Sequence, residues 1–315
     1  MTENSSQNKP SIGFIGLGSM GTLMVQRLHQ AGYQMTVYDR TREKAQEVAH
    51  QDIKVADSPR ELAEACDIVM SMVTDNSALE AIMHGPDGAL AGANSHTTFV
   101  DLSTVSPQES RHIAKIAHER GAHMIDAAVS GSTPQAKEGS LVIFVGGEQE
   151  SFQKCQPILE HLGQSVFHMG DHGMGTTMKM VVNTLLGLGL QAVAEAIALG
   201  EKAGLDKQQL LDVLGQTTAI APTHKAKLAN ASKEEYPVTF ALSLMRKDFS
   251  LIMRMAADLS VAMPATAAAE QMYAAALAQG HDEDYSVMIQ FMEQLSVSTP
   301  NGLPRPFIEQ ARCQR

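Results

Sequence analysis

The chain has 315 residues, of which 44% are hydrophobic and 19% charged, which allows two domains with substantial cores and fits neither a disordered nor a membrane protein. A formal net charge of −11, the absence of tryptophan and an aromatic content of 4% exclude the basic face and stacking platform that a nucleic-acid partner needs. They leave room for a small anion held by a helix N-terminus and a few placed cations.

Residues 1–10 are polar, without an apolar core, and read as a short disordered tail with no secretory signal. From Ser11 an apolar strand breaks into glycines and then into the amphipathic pattern Thr22 to Ala31. Gly16, Gly18 and Gly21 fit G-x-G-x-x-G in the strand-turn-helix context the motif requires. The first glycine makes the tight turn, the second admits a pyrophosphate to the backbone, and the third lets helix and strand pack closely. A second strand, Gln34 to Tyr38, ends at Asp39, the acidic position expected to accept a ribose 2′-OH. Arg40 and Thr41 follow, and an arginine there pairs with a 2′-phosphate, so NAD and NADP both stay open.

Alternation continues through helix 42–51, a short strand near Ile53 to Val55, helix 59–65 and strand 67–73. The strand Thr98 to Leu102 delivers Ser103 and Thr104 to its carboxyl end, where open α/β sheets bind ligands, although Ser-Pro also reads as the cap of helix 107–120. The strand His123 to Val129 similarly runs into Ser130-Gly131-Ser132-Thr133-Pro134, which suits donors to a carboxylate and a capped turn equally. Strands 141–146 and 165–168, with helix 151–162 between them, complete the alternating part. His161, His168 and His172 lie in loop-like sequence without ligand spacing, and no metal site is expected. Cys66, Cys155 and Cys313 are odd in number, lack ligand spacing and read as reduced thiols of a cytoplasmic protein.

Beyond the junction Gly170 to Gly173 only helical periodicity remains, over a long helix to about Gly200 and then 207–215, 225–231, 240–259, 265–278 and 285–295. The fold class is therefore α/β: a Rossmann doubly wound sheet over 11–172, then an all-helical domain over 173–297 built on a long interdomain helix. Residues 298–315, with three prolines, read as a disordered tail. The long helix is nearly uncharged but carries Lys179, with Asn183 one turn on and on the same face. An ammonium in such a helix either snorkels to solvent or serves a function. Arg246-Lys247-Asp248, charged among Leu and Met, is read either as a site or as a solvated face.

With these residues in place the chain resembles the β-hydroxyacid dehydrogenase family from about Ile12 to Leu295. The resemblance rests on GFIGLGSMG at the glycine turn, DLSTVSP around Thr104, DAAVSGS at Asp126 to Ser132, GMGTTMKMVVN at the helix start, and RKDFSL around Lys247 and Asp248. It implies that Lys179 is the catalytic acid–base and that Ser130, Gly131, Ser132 and Asn183 hold substrate. It further implies that Gly16, Leu17, Gly18, Ser19, Met20, Gly21, Asp39, Arg40, Thr41, Val73, Thr74, Thr104 and Lys247 contact NAD or NADP. Ser132, Ala221-Pro222 and Tyr236-Pro237-x-x-Phe240 are similar to the glyoxylate/succinic semialdehyde reductase branch, which adds Phe240 and Asp248 to the substrate pocket. That branch has asparagine where this chain has Asp39 and prefers NADPH. The implied substrate is a small carboxylate-bearing aldehyde or keto acid, with 3-hydroxyisobutyrate and tartronate semialdehyde as rivals. Imine reductases share the fold but usually replace the helix lysine, and a catalytically idle branch has no use for the retained Lys179, Asn183, Ser130 and Thr104. The Met-rich apolar surface of the helical part suggests a homodimer or homotetramer.

Overall fold

A computed structural model describes residues 9–49 and 52–297. Residues 1–8 of the expected tail 1–10 and the whole of the expected tail 298–315 lie outside the described residues, as does the end of the expected helix 42–51. Packing begins earlier than expected: the Lys9 ammonium donates to the Ala31 carbonyl and lies 4.8 Å over the Tyr33 ring.

The strands are β1 (Ile12–Ile15), β2 (Met35–Tyr38), β3 (Lys54–Val55), β4 (Ile68–Ser71), β5 (Thr98–Asp101), β6 (His123–Ser130), β7 (Leu141–Gly147) and β8 (Gly163–His168). They form one sheet in the order β3-β2-β1-β4-β5-β6-β7-β8. All neighbours are parallel except β6 and β7, a reversal that the hydrophobic pattern of short buried strands does not encode. Strand order reverses between β1 and β4, and ligands of open α/β sheets bind in the crevice outside the carboxyl ends at such a point. The helices of this part are α1 (Ser19–Gln30), α2 (Arg42–Val48), α3 (Pro59–Ala65), α4 (Asn76–Met83), α5 (Ala89–Gly92), α6 (Pro107–Glu119), α7 (Thr133–Glu138) and α8 (Gln149–Leu159). They cover both sheet faces, one core gathering around Phe14, Val37 and Ile143 and the other around Ile15, Val69 and Phe99. Three of them, α4, α5 and α7, go beyond the expected elements. Their starts, such as Thr74-Asp75-Asn76-Ser77, are turn-forming sequence, and Asp75 caps α4 by accepting from the Ala78 N–H at 2.8 Å.

From Met174 the chain is helical: α9 (Met174–Lys202), α10 (Lys207–Gln216), α11 (Pro222–Lys233), α12 (Leu242–Asp258), α13 (Pro264–Ala278), a 3₁₀ turn (Tyr285–Val287) and α14 (Met288–Val297). By length and apolarity α9 matches a membrane span. Here, however, it is a core helix, with its start against β6 and β7 and its remainder among α10, α12, α13 and α14. It therefore belongs to both halves of the molecule, and its face at Lys179 and Asn183 is buried.

Candidate active site

The glycine turn comes first. Gly16 has φ +98, where a side chain would also strike the Met72 carbonyl, and a Cβ on Gly21 would sit 2.0 Å from the Gly16 carbonyl oxygen. Only glycine allows this turn and this closeness of α1 to β1. A Cβ on Gly18 would meet nothing within 4 Å, so the turn opens outward there. No side chain caps α1, and its first N–H groups and positive dipole end face that opening along Ser19 and Met20. Such a cradle fits a dinucleotide pyrophosphate.

Asp39 organises the rim. Its Oδ2 accepts from the Leu17 N–H and its Oδ1 from the Thr41 N–H, both at 2.8 Å. Both carboxylate oxygens are thus engaged by backbone, while the Arg40 and Thr41 side chains are exposed with no partner among the described residues.

Across the crevice, three expected cofactor residues converge. Lys247, from α12, donates to the Thr74 carbonyl at 2.9 Å and to the Thr104 carbonyl at 2.8 Å, spanning the loops after β4 and β5. Its neighbour Asp248, 1% exposed, pairs with the Lys247 ammonium at 3.0 Å and accepts from the Asn183 amide at 2.5 Å. A carboxylate only accepts, so the Asn183 NH2 must face it. The Asn183 Oδ1 then points away, buried and without a hydrogen-bond partner among the described residues. Asn183 therefore presents an acceptor oxygen to the crevice side of α9.

Lys179, one turn earlier on the same face of α9, is 8% exposed and makes no hydrogen bond or ion pair among the described residues. The side chain stays in the interior rather than lying along the surface. Burial pushes its pKa down to about 8, opposed by the Asp248 carboxylate and assisted by the Lys247 charge. A buried donor and a buried acceptor, both unspent, thus share one helix face.

The remaining expected residues divide. Ser130 ends β6 half-buried and Gly131 follows exposed at φ +132. Ser132 is a helix cap, its N–H and hydroxyl both donating to Gln135 Oε1 at 3.0 Å. Phe240 lies edge-on to Tyr285 with centroids 5.9 Å apart, at the border of the helical core. His161 and His168 serve packing: one meets Tyr33 edge-on and the other stacks on Phe152. Val73, whose N–H donates to the Ser103 hydroxyl at 2.9 Å, follows β4 beside the point where strand order reverses.

Sequence reasoning overlooked two acids. Asp101 and Asp126 are register partners on β5 and β6 and neither has exposed surface. Burial raises the Asp101 pKa to about 6 against the lowering effect of its Ser103 and Ser71 bonds. Asp126 accepts from the Gly173 N–H at 2.7 Å and the Thr176 N–H at 2.8 Å, capping α9 from outside. The signal was present: an aspartate inside an apolar strand, in Phe-Val-Asp-Leu and Met-Ile-Asp-Ala, is there for a reason other than packing.

The fold and cradle define a nicotinamide-dinucleotide oxidoreductase, and comparison with known proteins gives its kinship. Residues 11–170 match the family described as the NAD binding domain of 6-phosphogluconate dehydrogenase. Residues 173–292 match that described as NAD-binding of NADP-dependent 3-hydroxyisobutyrate dehydrogenase. The chain is 36% identical to glyoxylate/succinic semialdehyde reductase 2 of Arabidopsis thaliana over 90% of its own length and 79% of the relative's. It is 33% identical to 2-(hydroxymethyl)glutarate dehydrogenase of Eubacterium barkeri, over 92% and 97%. A solved 3-hydroxyisobutyrate dehydrogenase of Mycobacterium tuberculosis superposes with a TM-score of 0.81 at 30% identity, covering 89% of this chain and 98% of that one. The chain belongs to the β-hydroxyacid dehydrogenase family.

Proposed function

We propose that this enzyme reduces a small aldehyde or keto acid of the glyoxylate or succinic semialdehyde type to the hydroxy acid, preferring NADPH, with Lys179 as general acid–base. The observation that carries the reading is the buried Lys179 residue, whose ammonium has no hydrogen-bond or ion-pair partner among the described residues, one turn from the Asn183 oxygen, which likewise has none among them. Neither group has a structural use for its burial, and both suit a carbonyl that becomes a hydroxyl. The bound nicotinamide supplies the hydride. Lys179 stabilises the negative charge that develops on the substrate oxygen and gives it a proton, and the neutral amine takes the proton back in the oxidative direction. Asn183, held by Asp248, accepts from the hydroxyl so formed and keeps it directed. Ser130 and the Gly131 backbone orient the carboxylate end. A lysine poised at about 8 is mostly charged at neutral pH yet able to deprotonate, which serves both directions.

Two features support NADPH. Arg40 and Thr41 have free side chains at the end of β2, and the Asp39 charge is partly neutralised by two backbone donors. The similarity to the Arabidopsis reductase supports the substrate class. Loss of reduced-nicotinamide absorbance is followed with NADPH and NADH against glyoxylate, succinic semialdehyde, tartronate semialdehyde and a cyclic imine. The highest kcat/KM is expected for NADPH with one of the first two. A preference for tartronate semialdehyde, or for 3-hydroxyisobutyrate in the reverse direction, would move the enzyme to another branch of the family.

A further inference from the structure

We propose that the adjacent buried acids Asp101 and Asp126 are positioning residues that divide the site between them. Asp101 holds the two nicotinamide-side loops together as one body, and Asp126 fixes where the lysine-bearing helix begins. The second half rests on the catalytic reading of Lys179; the first does not.

Asp101 ends β5 and gathers three donors on one oxygen: the Ser71 hydroxyl and the Ser103 hydroxyl, both at 2.7 Å, and the Ser103 N–H at 3.2 Å. Its other oxygen is buried with no hydrogen-bond partner among the described residues, an arrangement that a strand end has no structural need of. A serine hydroxyl has one proton. Because Ser103 gives that proton to Asp101, its lone pair is left facing the Val73 N–H, which donates to it at 2.9 Å. The carboxylate thereby sets the polarity of the tie between the loops after β5 and β4. A second tie lies further out, where the Asn76 amide donates to the Ser106 hydroxyl at 2.9 Å and the Ser106 N–H returns to Asn76 at 3.0 Å. Lys247 binds a carbonyl from each loop between these two ties. Segments 73–76 and 103–106, which carry Val73, Thr74 and Thr104, are therefore laced at both ends, with Asp101 at the root.

Asp126 works on the other element. The residue preceding α9 is Gly173, at φ +84, which has no side chain with which to cap the helix. Asp126 replaces that cap from the neighbouring strand, one oxygen on Gly173 and the other on Thr176, three positions before Lys179. Glycine makes the contact possible: a Cβ on Gly175 would lie 2.8 Å from Asp126 Oδ2 and 2.3 Å from the Phe144 carbonyl oxygen. The helix start is thus pressed onto the sheet, and its rotation and height are set by one carboxylate. That carboxylate is on the strand that ends at Ser130, so substrate strand and lysine helix share a reference point.

The test separates the two functions. Dinucleotide affinity is measured without turnover, by titrating the intrinsic fluorescence of NADPH, and kcat is measured with the best aldehyde substrate. Both are applied to Asp101→Ala, Asp101→Asn, Asp126→Ala, Asp126→Asn and Lys179→Met, with thermal unfolding showing that each variant is folded. Asp101→Ala should weaken NADPH binding by at least about tenfold, the scale of a lost buried charged hydrogen bond. Asp101→Asn, which keeps an accepting oxygen, should recover most of it. Asp126→Ala should bind NADPH within about twofold of the parent but lose at least about tenfold in kcat, because misplacing a reacting group is costly. Asp126→Asn should recover part, since an amide oxygen serves one of the two N–H groups. If an alanine variant does not fold, Ser103→Ala removes the first tie without touching the charge, and Gly175→Ala disturbs the helix start without removing Asp126. Folded Asp101 or Ser103 variants with parental NADPH affinity would overturn the first half. An inactive Lys179→Met beside a fully active Asp126→Ala would overturn the second, whereas an active Lys179→Met would instead remove the catalytic reading of the lysine. Loss of both functions by both acids, in step with lost melting temperature, would reduce them to fold-stabilising groups and contradict the proposal.

Discussion

Two lysines of the helical half, the buried Lys179 and the half-buried Lys227, are treated in opposite ways. Lys227, its side chain 12% exposed, pairs with a fully buried Asp284 carboxylate at 2.8 Å, donates to the Thr239 hydroxyl at 2.8 Å and lies 5.1 Å over the Tyr285 ring. Asp284 also accepts from Thr239, Phe240 and Ser286, so every charge in that node is answered and the loop before α12 is pinned. Among the described residues Lys179 has no hydrogen bond, ion pair or ring contact, and the Asp248 charge is the one attraction that acts on it. Among the described residues the chain answers the Lys227 ammonium several times over and gives the Lys179 ammonium no hydrogen bond or ion pair. The difference between the two separates a cation that holds the fold together from one kept available for a ligand.

That contrast is open to direct attack. The largest expected effect is on turnover: Lys179→Met should lower kcat by roughly 10²–10⁴, the usual contribution of a general acid–base. Substrate-independent NADPH binding should be unchanged. Lys227→Met should do the reverse. It leaves Asp284 buried without its cation and should lower unfolding free energy by roughly 3–5 kcal/mol in denaturant titration, while kcat of the folded protein stays within a few-fold. A version of Lys227→Met as inactive as Lys179→Met would erase the contrast.

The stability of Lys179→Met sharpens it further. The folded lysine has its pKa pushed down from 10.5 to about 8, so between those values the unfolded chain holds a proton that the folded chain gives up. The charged lysine therefore opposes folding at full strength below about pH 8, and the parent gains stability as pH rises from there to about 10.5. Lys179→Met should be the more stable protein below pH 8, by an amount on the order of 3 kcal/mol. The gap should narrow across that window. A variant less stable than the parent at pH 7 would show that the ammonium has a structural partner after all. The smallest expected effect lies at the cradle's rim: Arg40→Ala should raise the KM for NADPH by about tenfold, an exposed charge-assisted contact, and leave that for NADH unchanged.

Much of this was legible in the residues. The glycine spacing identified the cradle because each glycine answers a separate steric demand, and the alternation of short apolar strands with helices identified the sheet. Lys179 stood out as the one cation of an apolar helix. What stayed hidden follows from long-range pairing. The direction of β7 depends on a connection through α7 that looks like an ordinary turn, and no periodicity distinguishes an antiparallel buried strand from a parallel one. Asn183 and Asp248 were both expected to touch substrate, but only their hydrogen bond, across 65 positions of sequence, shows that the acid works on the amide and turns its oxygen outward. Ser132 illustrates the opposite: its capping bonds were legible from Gln135 three residues on.

The most direct test is single-turnover reduction of the aldehyde by enzyme-bound NADPH, followed across pH 6 to 10 in the parent and in Lys179→Met. The account predicts a parental rate that is flat at low pH and falls through a single ionisation near 8, and a variant slower by at least about a hundredfold with that ionisation gone. A variant that retains the ionisation, or turns over at the parental rate, would place the acid–base elsewhere and leave the buried lysine without its function.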